Sequence, residues 1–178
     1  MAKAKCDYVI MEVSSQSLKL SRVEGCNFDY GIFTNLYKDH ISEKEHPNME
    51  DYFESKLKLF SMCPRGFVNS DDFKCNKIIQ SSPNCMINTY AVDNKADLLA
   101  KDITITNVSV DFKAKLGQRN ERVKVNIPGR YSVYNALAAI SLAMALGVNV
   151  EKIKEGLENI VIPGRSELIP NKDELAIM

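Results

Sequence analysis

Short apolar runs alternate with helical patterns over the first half of the chain, and this alternation constrains the fold more than any other feature. Four runs rich in β-branched and aromatic residues fall at residues 7–13 (DYVIMEV), 30–34 (YGIFT), 67–68 (FV) and 86–92 (MINTYAV). Between them, residues 49–62 repeat apolar side chains at helical spacing, and residues 71–79 form a shorter helical pattern. Strands that a sheet buries on both faces are continuously apolar, so this order predicts βαβ units and a parallel sheet.

The second half of the chain changes character. Residues 102–112 and 122–127 alternate polar and apolar side chains around a GQRN turn, which predicts a small antiparallel hairpin over about residues 102–127. Residues 130–146 are apolar nearly all round, which predicts a buried helix that Gly147 caps. We therefore expect one α/β domain over residues 1–178, with a Rossmann-like, mostly parallel sheet flanked by helices and an antiparallel satellite sheet.

Composition excludes several classes of protein. The 23 basic and 23 acidic residues cancel, so the net charge gives no pull toward nucleic acid or an anionic membrane. The longest apolar stretch, residues 136–148, is shorter than the ~20 residues that span a bilayer. The five cysteines form no C-x-x-C pair, and unpaired thiols are typical of a reducing compartment. We expect a cytoplasmic protein with no nucleic-acid or membrane partner.

Polar side chains follow the first two predicted strands. Glu12 and Ser14 stand at the end of the first, and His40 comes shortly after the second. In open α/β sheets, ligands bind at the carboxyl ends of parallel strands, where a carboxylate, an imidazole and hydroxyls can hold a divalent cation and an anion. The alternative is that Glu12 is a surface carboxylate, Ser14 caps a helix and His40 is a loop histidine.

Three further residues have a functional and a structural interpretation. Lys56 lies in the middle of a predicted helix and is by itself an ordinary solvated lysine. Asn135 lies in the apolar helix, where its amide needs hydrogen-bond partners from a ligand or from a backbone group. Arg165 follows Pro163-Gly164 and is either a clamp for phosphate or carboxylate or a surface arginine near a turn.

Six short strings occur in an order that resembles a known family. They are MEVSSQ at residues 11–16, FTNL at 33–36 with DH at 39–40, YF at 52–53 with Lys56 and LF at 59–60, NSDD at 69–72, YNALAA at 134–139, and GRSE at 164–167. Each string alone is a weak signal, but six in order over residues 11–167 are specific. Together they resemble the central ATPase domain of the Mur ligases, of the UDP-N-acetylmuramoyl-tripeptide synthetase type.

The resemblance implies ATP-driven amide bond formation in peptidoglycan synthesis. In this family ATP and Mg²⁺ activate a carboxylate of a UDP-N-acetylmuramoyl peptide as an acyl phosphate, which the amine of an amino acid then attacks. By the family pattern, Glu12 and His40 match Mg²⁺ ligands. Lys56 matches a catalytic lysine that CO₂ carbamylates and whose carbamate supports a second Mg²⁺.

The same pattern gives four other residues a role. Ser14 and Arg22 match contacts to the UDP-muramoyl peptide, whereas Asn135 matches a contact to adenine and Arg165 an arginine on the ATP side. His40 and Lys56 are the residues that the resemblance places nearest the chemistry.

The sequence also departs from the family. No G-T-x-G-K-[ST] phosphate loop occurs in the 178 residues, and neither the N-terminal UDP-binding domain nor the C-terminal amino-acid-binding domain is represented. We therefore expect a truncated central domain that is inactive alone and binds neither ATP nor Mg²⁺ productively. The alternatives are a related amide ligase, such as a folylpolyglutamate or cyanophycin synthetase, and a non-catalytic module that retains the fold.

Two more expectations follow from the missing phosphate-loop segment. One edge of the parallel sheet should be uncovered, so we expect a homo-oligomer through that edge near residues 7–13. Lys56 should lack the cations that stabilise a carbamate. We therefore expect its pKa to stay at the unperturbed value of about 10.4 and its side chain to remain unmodified.

Overall fold

The computed structural model describes residues 5–38, 41–42 and 45–162. Its helices and strands are, in chain order, α1 (Ser15–Lys19), β1 (Tyr30–Phe33), α2 (Met49–Leu57) with a 3₁₀ turn (Lys58–Ser61), β2 (Arg65–Asn69), α3 (Cys75–Ser81), β3 (Met86–Ala91), β4 (Leu98–Leu99), β5 (Lys101–Ile105), β6 (Val110–Leu116), β7 (Arg119–Val125), α4 (Arg130–Ala145) and α5 (Val150–Glu158).

Two sheets organise the described chain. Strands β1, β2, β3 and β4 pair in that order, and every pairing is parallel. Strands β5, β6 and β7 form a separate antiparallel sheet. The prediction of an α/β fold with a parallel sheet, flanking helices and a small antiparallel satellite is confirmed.

Local sequence signals explain where the helices begin and end. The Asn48 side chain accepts hydrogen bonds from the amides of Glu50 and Asp51, which caps α2 and places two carboxylates near its positive end. Asn149 caps α5 in the same way. Gly147 has a φ of +73° and ends α4, as the sequence predicted.

Two hydrophobic clusters hold the layers together. The larger cluster joins β3, β4 and the antiparallel sheet to α4 and α5, with Tyr90, Phe112 and Leu137 fully buried at its centre. The smaller cluster lies around α2 and α3 and includes the fully buried Phe53 and Ile78. Phe67 and Val68 are successive residues of β2 and belong to different clusters, so the parallel sheet lies between the two.

The structure corrects the prediction of a buried strand at residues 7–13. This segment is not a strand, and its apolar side chains are exposed, with Ile10 at 89%. The apolar run satisfies the sequence pattern of a strand, but in the described part of the chain no neighbouring strand pairs with it. An extended segment becomes a strand only when its backbone forms hydrogen bonds with a neighbouring strand. An apolar composition alone is therefore not sufficient.

Three smaller predictions also need correction. The satellite is a three-stranded sheet rather than a hairpin, because a turn at Thr106–Ser109 divides the predicted first strand. Helix α3 begins at Cys75 rather than at residue 71, since Asp71 and Asp72 use their carboxylates in loops. Helix α4 is not buried all round, because Tyr131 and Asn135 are exposed on one face.

No helix in the described ranges is both long enough and apolar enough to cross a membrane.

Candidate functional site

A cleft opens at the carboxyl ends of β1 and β2, against the first turns of α4. Its walls come from the loop after β1, the loop after β2 and α4, and they comprise Thr34, Asn35, Leu36, Tyr37, Asn69, Asp71, Asp72, Phe73, Tyr131, Tyr134 and Asn135. This is the edge at which parallel α/β sheets bind ligands. Three of the six strings that carry the family resemblance meet here.

Asp71 ties one wall of the cleft together. Its carboxylate accepts hydrogen bonds from the backbone amides of Val92, Asp93 and Asn94, and from the hydroxyl of Tyr134 at 2.9 Å. Burial raises the pKa of Asp71, but these donors together outweigh it and hold the pKa below its usual value. The carboxylate therefore stays ionised and fixes Tyr134 beside Asn135.

The backbone after β1 is held from the neighbouring strands. Asp72 accepts a hydrogen bond from the Leu36 amide at 2.7 Å, and the Tyr90 hydroxyl donates to the Phe33 carbonyl at 3.2 Å. Both contacts come from residues distant in sequence, on the loop after β2 and on β3. The loop that forms the floor of the cleft is thus positioned by the sheet rather than by its own sequence.

Lys56 reaches this loop from α2. Its Nζ donates to the Asn35 carbonyl at 3.1 Å and lies 5.0 Å from the ring centroid of Tyr52 and 5.4 Å from that of Phe33. Burial lowers the pKa of Lys56, while the negative charge of Asp72 opposes that shift. The expectation of an ordinary, solvated lysine with an unperturbed pKa is wrong, because α2 packs this side chain against aromatic faces.

Aromatic side chains give the cleft its character. Tyr131 is 63% exposed and Phe73 is 70% exposed, and the rings of Tyr37 and Tyr131 meet edge to face at 6.1 Å. Asn135 lies beside them, exposed on α4 with its amide free of the hydrophobic core. The premise that Asn135 is a buried amide is wrong, but its position at a ligand-binding edge agrees with the first of its two interpretations.

The residues predicted from the first strand lie elsewhere. Ser14 caps α1, its Oγ accepting from the Ser17 amide at 3.1 Å, as the structural alternative had it. Glu12 and Arg22 are exposed, and no hydrogen bond or ion pair joins Glu12 to Lys56 in the described part of the chain. Within that part, no three His, Cys, Asp or Glu side chains gather into a metal site.

His40 and Arg165 lie outside the described residues. Their predicted roles, as a Mg²⁺ ligand and as an arginine on the ATP side, stay predictions.

Sequence reasoning missed a chain of hydrogen bonds through His46. His46 is fully buried, with Nδ1 2.6 Å from the Asp51 carboxylate and Nε2 2.9 Å from the Ser15 Oγ. Because Lys19 and His46 hold the pKa of Asp51 below its usual value, its ionised carboxylate only accepts, so Nδ1 donates to it. Nε2 shares the second hydrogen bond with the Ser15 hydroxyl. This chain links the start of α1 to α2, which carries Lys56.

Comparisons with known proteins agree with the fold. A family profile described as the Mur ligase middle domain matches residues 1–143. The UDP-N-acetylmuramoyl-L-alanyl-D-glutamate--2,6-diaminopimelate ligase 1 of Clostridium acetobutylicum is 39% identical over 176 residues, covering 98% of this chain and 36% of that protein. The corresponding ligase of Caldanaerobacter subterraneus is 42% identical over 161 residues, covering 90% and 33%.

A solved structure of a UDP-N-acetylmuramoyl-L-alanyl-D-glutamate--2,6-diaminopimelate ligase superimposes with a TM-score of 0.80 at 26% identity, covering 89% of this chain and 34% of that one. The chain belongs to the Mur ligase family and corresponds to its middle domain. It spans about a third of the length of the curated relatives that it matches.

Proposed function

We propose that this chain is part of an ATP-dependent ligase that joins an amino acid to a UDP-N-acetylmuramoyl peptide. In that ligase it would bind the nucleotide. The observation that carries the proposal is the cleft of Tyr37, Tyr131, Tyr134 and Asn135 at the carboxyl ends of the parallel strands. Its relatives are named as ligases of UDP-N-acetylmuramoyl-L-alanyl-D-glutamate and 2,6-diaminopimelate, which supports the muramoyl branch over other amide ligases.

The cleft fits the base of a nucleotide. Flat aromatic faces stack on a heteroaromatic ring, and the amide of Asn135 both donates and accepts at the ring edge. The Asp71 carboxylate holds Tyr134 in place through its hydroxyl, so that this wall is formed before a ligand arrives. These residues bind and orient a base, in agreement with the adenine contact that the resemblance assigns to Asn135.

The described residues do not assemble a magnesium site. Glu12 and Lys56 are not joined, and His40 lies outside the described ranges. The structure therefore supports Mg²⁺ less directly than it supports the base, and the roles of Glu12, His40, Ser14, Arg22 and Arg165 remain proposals from the family pattern.

Adenosine should bind the 178-residue chain at the cleft, without productive binding of phosphates. We expect NMR shifts on adenosine titration to concentrate at Tyr131, Tyr134 and Asn135. The Tyr131→Ala variant should weaken binding by about tenfold, since stacking on one aromatic ring contributes roughly 1–3 kcal/mol per base. Tyr8→Ala removes an equally exposed tyrosine outside the cleft and should leave binding unchanged.

Uridine serves as the control ligand for that titration. A non-catalytic module that retains only the fold has no reason to distinguish the two nucleosides. Shifts that are absent, spread over the surface or equal for adenosine and uridine would contradict the proposed base site.

Lys56 should be unmodified in the isolated chain. The groups around its Nζ are a carbonyl oxygen, two aromatic faces and the Asp72 carboxylate, and all of them favour a cation over a carbamate anion. The lowered pKa provides more neutral amine than an ordinary lysine has, but none of these described neighbours carries a positive charge that would stabilise the product anion. We expect no carbamate signal by ¹³C NMR after equilibration with labelled bicarbonate without metal. A carbamate signal that disappears in Lys56→Arg would overturn this expectation.

We also propose self-association through the edge of the parallel sheet. In the described ranges β1 pairs only with β2, which leaves one side of β1 unpaired there. Tyr8, Val9, Ile10 and Met11 expose further apolar surface that a second copy would cover. Sedimentation measures this directly. The free state of all five cysteines agrees with a cytoplasmic location, which we propose on the same grounds as the biosynthetic role.

A further inference from the structure

Two thiols face each other at the amino ends of adjacent strands, away from the cleft. Cys63 lies two residues before β2, and Cys85 immediately precedes β3. Because β2 and β3 are parallel, both positions fall at the same end of the sheet, where the strands begin. Their Sγ atoms are 3.9 Å apart, and both side chains are buried.

The surrounding backbone leaves little room except for this pair. A Cβ at Gly31 would lie 2.8 Å from the Cys63 Sγ, and a Cβ at Gly66 would lie 3.3 Å from the Cys85 Sγ. The Cys63 thiol also donates to the Leu59 carbonyl at 3.4 Å, and the two sulfurs share a weak hydrogen bond with each other. The absence of a side chain at Gly31 and Gly66 therefore leaves the space in which the two sulfurs lie next to each other.

We infer that Cys63 and Cys85 form a reversible disulfide site whose oxidant is a peroxide. One thiolate attacks a peroxide oxygen, the O–O bond breaks, and a sulfenic acid forms as hydroxide leaves. The second thiolate then attacks that sulfur, the S–O bond breaks, and a second hydroxide leaves. Two thiols and hydrogen peroxide thus give one disulfide and two waters, the sulfurs being oxidised and the peroxide oxygens reduced.

The environment sets the rate of this reaction. Burial raises the pKa of both thiols, that of Cys63 to about 12, so little thiolate is present at neutral pH. The disulfide should therefore form slowly at pH 7 and faster as the pH rises. This behaviour belongs to a latent crosslink in the fold and not to a fast peroxidatic cysteine.

Cys75 provides an internal control. It is also buried, but it begins α3 after the carboxyl end of β2. Cys75 therefore lies at the opposite end of the strands from Cys63 and Cys85. If burial alone decided the outcome, Cys75 would crosslink as readily as the other two.

The experiment is peptide mapping of the 178-residue chain after hydrogen peroxide treatment and alkylation of remaining thiols. Trypsin places each of the five cysteines in a different peptide, with Cys63 in residues 59–65, Cys75 in 75–77 and Cys85 in 78–95. We expect a linked pair of 59–65 and 78–95 that has lost two hydrogen atoms, forms faster at higher pH and separates on reduction. Crosslinking should also raise the thermal midpoint reversibly.

Variants separate the interpretations. Cys75→Ser should leave the crosslink intact, whereas Cys63→Ala and Cys85→Ala should each abolish it. Links that involve Cys75, links between molecules only, or oxidation of the two sulfurs to sulfinic acids without a bond would overturn the inference. The wild-type map decides even if one variant fails to fold, and its result is independent of nucleotide binding.

Discussion

Replacing His46 with leucine should lower the free energy of unfolding by about 1–3 kcal/mol, because it removes a buried hydrogen bond to Ser15 and a partly exposed one to Asp51 and leaves the Ser15 hydroxyl without its partner. For a chain of this length, each kcal/mol corresponds to a fall in the thermal midpoint of roughly 2–4 °C. Urea unfolding followed by circular dichroism measures the loss.

A conservative variant and a double-mutant cycle test the cause. His46→Gln retains a donor and an acceptor and should recover part of the lost stability. Ser15→Ala combined with His46→Leu should cost less than the sum of the single changes, since both remove the same hydrogen bond. Strict additivity, or a loss below about 1 kcal/mol for His46→Leu, would show that the chain from Ser15 to Asp51 contributes little.

The 178-residue chain on its own should release no phosphate from ATP above the blank, with or without Mg²⁺. Phosphoryl transfer depends on positioned phosphates and neutralised charge, and the sequence contains no Gly-rich loop with its lysine to provide them. Phosphate release and peptide ligation are both measured on purified protein. The expected effect is the complete loss of turnover rather than a reduced rate.

A matched variant guards that result against contaminating enzymes. Lys56→Ala should give the same background as the unaltered chain. Magnesium-dependent turnover that is lost in both Lys56→Ala and His40→Ala would prove that these 178 residues suffice for catalysis.

The strands were only partly predictable from the sequence pattern, because a strand also needs a neighbouring strand to pair with. The apolar runs that became β1, β2 and β3 were predictable because a buried parallel strand is continuously apolar. The run at residues 7–13 has the same composition, yet it is not a strand, since strand formation depends on a partner elsewhere. An apolar run in the sequence therefore indicates a segment suited to burial, but it does not show whether a neighbouring strand is present to pair with it.

Only part of the candidate site was predictable. A ligand site at the carboxyl ends of the parallel strands was expected, and the strings at residues 33–36, 69–72 and 134–139 meet in such a cleft. Glu12 and Ser14 were expected there as well, but they follow a segment that is not a strand and do not line the cleft. The burial of Lys56 was not predictable, because its aromatic neighbour Phe33 comes from another element. His46 was missed for a related reason: its partner Ser15 is 31 residues away in sequence.

Tyr90 connects the two hydrophobic clusters. Its ring belongs to the cluster packed by α4, while its hydroxyl donates to the carbonyl of Phe33, which belongs to the cluster around α2. A cavity introduced beside α4 therefore does not remain a local defect, because any shift of this ring pulls on the backbone that receives the Lys56 amine. Substitutions in the core beside α4 are therefore expected to move the loop after β1, and a stabilised variant of this domain has to keep the Tyr90 hydroxyl within reach of the Phe33 carbonyl.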